Sequence, residues 1–218
     1  MPLILVGHDG RRRVVLAADA AAQAAGLRIG MPASKAQALV RDLIINNADP
    51  EGDAAALERL ALWALRRYSP IVAADPPDGL VIDATGASHL HGDETAMLTD
   101  LVERLAASGV TARAAMAGSW GAAHALARFA ARPSMVVPPG QDREAIMPLP
   151  IAVLRLPPDT VEGLRRLGFE RVADLATTPR APLALRFGSE PGRRLDQALG
   201  CLLPRWSSSP TPMRFGPT

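Results

Sequence analysis

The chain has 218 residues, 48% of them apolar, and a formal charge of +2. That length supports a buried core and one or two domains. Nothing in it approaches the roughly 20 consecutive apolar residues of a membrane span, and the amino terminus MPLILVGHDGRRR lacks the long apolar middle and small-residue cleavage site of a signal peptide. A cytoplasmic protein with no membrane partner is expected. The single cysteine, Cys201, excludes a disulfide framework and a thiolate zinc cluster; it reads as a small core or helix-end residue.

Leu3–Val6 and Arg13–Ala17 read as short strands joined by a turn at His8-Asp9-Gly10, which makes His8 a turn residue. An alanine-rich helix follows from about Asp19 to Ala25 and stops at Gly26; Pro32–Val40 reads as another, with Ser34 near its start. The clearest helix is Glu51–Tyr68. Its Leu57, Leu60, Ala61, Ala64, Leu65 and Tyr68 recur at the spacing of one buried stripe, and Trp63 lies off that stripe. Ile71–Ala74 and Leu80–Ala84 read as strands around the tight Pro76-Pro77-Asp78-Gly79 segment. Thr95–Ala107 is predicted helical, Thr111–Ala117 a strand, Gly121–Ala131 a helix and Met135–Val137 a strand. Such alternation argues for an α/β (α+β) fold, a mixed sheet covered by helices. The proline-rich stretch Pro138–Pro158 marks a domain boundary. Beyond it Thr160–Leu167, Val172–Ala176, Pro182–Phe187 and Gly192–Leu199 read as helices too short to stand alone. Trp206–Thr218, rich in Ser and Pro, reads as a linker.

Four segments stand out in order. Ala24-Ala25-Gly26-Leu27-Arg28-Ile29-Gly30-Met31-Pro32 is followed by Tyr68-Ser69-Pro70 with Asp78-Gly79-Leu80-Val81-Ile82-Asp83. Thr85-Gly86 then leads to Leu90, Gly92 and Glu94, and Leu164, Leu167, Gly168 and Phe169 precede Val172-Ala173-Asp174-Leu175. Together they resemble the fingers signature, the acidic palm strand with its continuation, and the helix-hairpin-helix thumb of the Y-family (DinB/UmuC-like) translesion DNA polymerases. Within that family the chain looks most like the ImuB-type branch, through Pro76–Leu80, Asp83-x-Thr85-Gly86 and Leu167-Gly168…Pro179-Arg180…Arg186-Phe187-Gly188.

The resemblance implies a palm-like mixed sheet with a small fingers insertion, followed by a small all-helical thumb. Residues 1–12 and 70–140 would form the palm, 13–69 the fingers and connecting helix, 141–203 the thumb and 204–218 a linker toward a little finger. No Asp-x-Asp-x-Phe-Phe-like motif, the family's first metal-binding strand, occurs in the sequence. The chain is therefore expected to begin after that strand and to stop before the little-finger domain.

The family's chemistry needs two magnesium ions held by three carboxylates. Asp78 falls at the family's strand Asp, but Gly79 falls at its Glu and offers no ligand. Asp83, an odd number of residues further along an extended strand, is expected to face the other side. Asp75, across two prolines, is expected to be poorly aimed. In the fingers, the Tyr and Arg that hold the triphosphate fall at Ala20 and Gln23, which make no charge-assisted phosphate contact. Ser119-Trp120-Gly121 replaces the palm-helix Asn-Lys, and Arg132-Pro133 the Lys-Pro pair, so Arg132 alone keeps a charge for phosphate.

The resemblance thus implies a vestigial Asp78, no intact catalytic set, no resident metal or cofactor, and a non-catalytic adaptor role in damage-induced mutagenesis. The partners it implies are primer–template or damaged DNA, a sliding clamp, a replicative-type error-prone polymerase and a RecA-like accessory protein, at a bacterial nucleoid. Two alternatives stay open: an active lesion-bypass polymerase using Mg2+, and a purely protein-binding scaffold.

Residues 151–218 carry ten arginines against six carboxylates, a local charge of ten minus six, or +4. Lys35 is the sole lysine, so cationic work falls on arginine, whose planar fork suits phosphate. Arg165, Arg166, Gly168 and Arg171, around the second thumb turn, are the DNA-binding candidates, with an ordinary solvated face as the alternative. Arg155-Leu156-Pro157-Pro158 lacks the backbone donors of a phosphate-binding hairpin. His89-x-His91 has the spacing of two strand histidines sharing a metal, with no third ligand close by. Trp120 and Trp206 read as packing or interface residues rather than base-stacking platforms.

Overall fold

The computed structural model describes residues 1–201; Trp206 and the linker-like tail lie outside the described residues. Chain contacts divide into two compact units, Met1–Leu57 and a second from Glu58 onward.

In the first unit β1 (Leu3–Asp9) pairs antiparallel with β2 (Arg12–Ala18) and parallel with β3 (Ile44–Asn47), in the order β2-β1-β3. Period-two alternation turns Ile4 and Val6 inward, where they meet Val15. α1 (Ala20–Ala24) starts at Asp19, whose carboxylate accepts from the Ala22 amide at 2.7 Å. Gly26, at φ +89°, terminates that turn in the left-handed region. α2 (Ala33–Leu39) adds Ala33 and Ala36 to the same small core.

Two expectations are corrected in this unit. His8 and Asp9 close β1, paired with Arg13 and Arg12, so the reversal falls at Gly10-Arg11 rather than at His8. β3 was not foreseen, because Ile44-Ile45-Asn46-Asn47 is too short and too polar to signal a strand. Its pairing with the backbone of β1 defines it.

α3 (Pro50–Arg67) carries Glu51 and Asp53 in its first turn and Arg66 and Arg67 in its last, matching its dipole at both ends. The expected stripe is fully buried at Ala61, Ala64 and Tyr68. The Tyr68 hydroxyl donates to Asp100 at 2.7 Å, on α4 (Glu94–Ala107). β4 (Val72–Asp75) and β5 (Gly79–Ile82) form an antiparallel hairpin, with Asp75 opposite Gly79. β6 (Ala114–Met116) and β7 (Ser134–Val136) pair in parallel across α5 (Trp120–Phe129). The fold is mixed α/β as expected, but its strands form three hydrogen-bonded pieces rather than one sheet.

A short helix, α6 (Asp142–Ile146), precedes the helical cluster of α7 (Pro158–Arg166), α8 (Val172–Ala176), α9 (Arg180–Phe187) and α10 (Glu190–Ala198). None is long enough to persist alone. Leu164, Val172, Leu175, Leu183 and Leu195 instead join Leu126, Ile146 and Ile151 in one core. Cys201 sits just past α10 with its thiol exposed, a helix-end residue and not a core one. Among the described residues no helix is long and apolar enough to cross a membrane.

The contact of α5 with α10 is unusually close. A Cβ added at Gly121 would lie 2.8 Å from both Ala198 Cα and the Gln197 carbonyl oxygen, so backbone would have to move. Gly121→Ala is expected to destabilise the protein by about 1–3 kcal/mol through overpacking. A urea midpoint unchanged from wild type would show that the two helices separate without cost.

Candidate functional site

The β4–β5 hairpin turns through Pro76, Pro77 and Asp78. This turn brings Asp75 and Asp78 to two side chains of α5, His124 and Arg128, which stand one helical turn apart. Arg128 Nη2 donates to Asp78 Oδ1 at 2.6 Å and Nη1 to Oδ2 at 3.2 Å, a bidentate fork on one carboxylate. Arg128 Nε donates to His124 Nε2 at 3.0 Å, and that nitrogen lies 3.6 Å from Asp75 Oδ2.

Two expectations change. Asp78 lies in the hairpin turn and not on the strand, so strand alternation does not govern its direction. Asp75 is not aimed elsewhere; it faces the same His124–Arg128 pair as Asp78. Asp83 stays apart from this cluster and accepts from the Thr85 amide at 3.0 Å.

The electrostatics follow from burial and the guanidinium. Arg128 holds the Asp78 carboxyl below its usual range, whereas burial raises that of Asp75. Burial, reinforced by Arg155 and Arg128, pushes His124 down to about 4. His124 is therefore neutral near pH 7, and its contact with Asp75 is no ion pair there. Since Nε2 accepts from Arg128, the ring proton belongs on Nδ1, which is buried without a hydrogen-bond partner. Arg155, at φ 54°, lays its guanidinium 3.8 Å above the Trp120 ring. Trp120 is thus packed under an arginine.

Magnesium requires several oxygen ligands in near-octahedral array. Both Asp78 oxygens are engaged by Arg128, and Gly79 supplies none. A Cβ at Gly79 would lie 3.1 Å from the Asp75 carbonyl oxygen and 3.4 Å from Arg128 Nη2, so glycine leaves the room that the guanidinium uses. Among the described residues no three His, Cys, Asp or Glu side chains gather as a metal would need. This donor set does not fit a two-metal centre. The cation these carboxylates face is a guanidinium.

The other predicted residues fall in separate places. Ala20 and Gln23 are exposed on α1, and Gln23 Nε2 donates back to the Ala18 carbonyl at 2.7 Å. Arg165 and Arg166 end α7, Gly168 follows at φ +88°, and Arg171 precedes α8; the three arginines are exposed. Arg166 pairs with Glu162 one turn earlier, and Arg165 and Arg171 make no ion pair among the described residues. Arg132 is exposed beyond α5. His89 and His91 lie in a 3-10 turn, Ser88–His91, and not on a strand; the His91 ring packs 5.1 Å from that of Tyr68. Sequence reasoning missed His124 and Arg128 altogether. Their signal was the i, i+4 spacing of a histidine and an arginine on one face of an otherwise apolar helix.

The sequence model of the impB/mucB/samB family matches residues 1–128. Protein ImuB of Caulobacter vibrioides is 52% identical over 176 residues, covering 80% of this chain and 38% of its own. DNA polymerase IV of Dehalococcoides mccartyi is 30% identical over 192 residues, covering 86% of this chain and 49% of its own. The chain therefore spans less than half the length of these relatives. Among solved structures, DinB from Sulfolobus solfataricus superposes with a TM-score of 0.75 at 17% identity, over 93% of this chain and 60% of that one. The insertion ternary complex of Dbh DNA polymerase gives 0.76 at 17% identity, over 93% and 61%. At that identity the likeness establishes the fold.

The buried neutral His124 makes stability depend on pH. Its folded pKa, about 4, lies below the free value of 6.5, so the unfolded chain binds the extra proton between them. Stability from this group is full above pH 6.5 and declines as pH falls toward 4, by up to about 3 kcal/mol. Asp75, raised by burial, opposes this at the acid end, and Asp78, lowered by Arg128, adds a loss below its usual 3.8. His124→Gln keeps an acceptor for Arg128 and cannot titrate, so it should flatten the decline. Urea midpoints measured across that window test this, and parallel curves for the two proteins would refute neutral burial.

Proposed function

The chain belongs to the impB/mucB/samB family, and we propose that within it this protein serves DNA damage tolerance as a non-catalytic, DNA-binding adaptor. The observation that carries the reading is the bidentate hold of Arg128 on Asp78 beside Gly79. Phosphoryl transfer by two metals needs both ions to clamp the attacking and departing oxygens. A carboxylate saturated by a guanidinium, next to a glycine, provides neither clamp. The pair is half exposed, so it adds at most about 1 kcal/mol of stability. Its consequence is electrostatic: the charge of Asp78 is offset by Arg128 of α5.

In the fingers, Ala20 and Gln23 supply no charge for a triphosphate, which supports the same reading. Exposed Arg165, Arg166 and Arg171 around Gly168 offer phosphate contacts, and Arg132 a further one. The solved relative described as an insertion ternary complex makes primed DNA the natural ligand to test. The protein partners of this reading are a sliding clamp, a replicative-type error-prone polymerase and a RecA-like accessory protein.

Primer extension with Mg2+ on a primed template tests the absence of synthesis. Wild type and Arg128→Ala are both expected to add no nucleotide, since freeing Asp78 still leaves Gly79 without a ligand. Template-directed synthesis that Asp78→Ala abolishes would overturn the adaptor reading in favour of an active lesion-bypass polymerase. For DNA, affinity should fall with salt, and neutralising Arg165 and Arg166 together should reduce the log–log slope by about 2. No binding to primed DNA at low salt would leave the protein-binding scaffold.

A further inference from the structure

Arg59, Leu62, Trp63 and Arg66 follow one another at i, i+3, i+4 and i+7 on α3, so they share one face of the helix. The same helix buries Ala61 and Ala64 in the core, so this face is a second stripe. With Leu90 and His91 of the 3-10 turn it lines an open groove of about 770 Å³. Leu90 is 72% exposed, a large apolar side chain presented to solvent. Arg59 and Arg66 are exposed and make no ion pair among the described residues. The neighbouring acid is already satisfied: Asp100 lies 3.6 Å from Arg67 and 2.8 Å from Arg104, and accepts from Tyr68. Two uncommitted positive charges therefore flank an apolar floor.

Arginine and tryptophan beside exposed leucine are the composition of a protein-binding hot spot. A stacked base would need free ring surface. Here both rings are half-buried against Tyr68, Trp63 edge-on at 5.5 Å and 71°, His91 at 5.1 Å, so neither stands out into solvent as a stacking platform. The most exposed groups of the groove are the Leu90 side chain and the guanidiniums of Arg59 and Arg66. We propose that this groove docks an acidic protein segment carrying an apolar anchor side chain. The anchor rests against Leu62, Trp63 and Leu90, and flanking carboxylates take the forks of Arg59 and Arg66. The groove shares no residue with the Asp78–Arg128 site, and the inference holds whether or not the protein extends primers.

Fluorescence anisotropy tests this with a fluorescein-labelled helical peptide bearing Glu and Leu on one face. A Glu-only peptide of equal length and an oligo-dT of about twelve nucleotides serve as comparison probes. The Leu-bearing peptide is expected to bind about tenfold or more tightly than the Glu-only one. Arg59→Glu with Arg66→Glu, or Leu90→Asp alone, should weaken it about tenfold or more, with far-UV circular dichroism unchanged. Binding should also shift the Trp63 indole N–H resonance, identified by its loss in Trp63→Phe. The proposal is overturned by no peptide binding at low salt, by equal affinity for the Glu-only peptide, or by indifference to these substitutions. It is also overturned if the same variants weaken oligo-dT more than peptide, which would make the groove a nucleic-acid surface.

Discussion

Arg128 reaches the β4–β5 hairpin because α5 is pinned on its other side. Ala122, Ala125 and Leu126 are completely buried in the core that also takes Leu164, Val172, Leu175 and Leu195. Gly121 lets α10 lie against the start of the same helix, closer than any side chain would permit. With its rotation fixed, α5 can turn just one face to the hairpin, and that face carries His124 and Arg128. The charge arrangement at Asp78 is thus a consequence of helix packing some distance along the chain.

A guanidinium differs from a divalent ion in ways that matter for this hairpin. It is always charged, tethered, and planar, and it satisfies one carboxylate with two parallel hydrogen bonds. A metal bound there would depend on its concentration and would demand further ligands in a fixed geometry. Gly79 removes the side chain that would crowd Arg128, and by the same absence removes the ligand that a metal would need. His124 completes the arrangement by staying neutral: protonated, its Nε2 could no longer accept from Arg128.

The rest of the second unit leaves its positive charge on the surface. Arginine side chains at Arg59, Arg66, Arg165 and Arg171 are exposed, whereas Arg155 is spent on Trp120 and Arg128 on Asp78. The carboxylate of Asp78 is therefore met within the protein, and the exposed arginines are left to solvent. That division is the one the proposed adaptor role requires.

Much of this was legible in the sequence, for a common reason. The helix at Pro50–Arg67, the hairpin at Val72–Ile82 and the short helices after Pro158 are set by periodicity and by turn residues within one element. Gly79, Ala20 and Gln23 are read from the sequence alone, since none of them offers a carboxylate or a cation in any fold. The tertiary structure decided what sequence spacing cannot carry. β3 is a strand because β1 offers it an edge, and His91 packs on Tyr68 because a turn and not a strand holds it. Above all, Asp78 faces a cation 50 residues away on another element. Local preferences are properties of a few adjacent residues, but the partner of a carboxylate is set by which helix face the core leaves free to meet it.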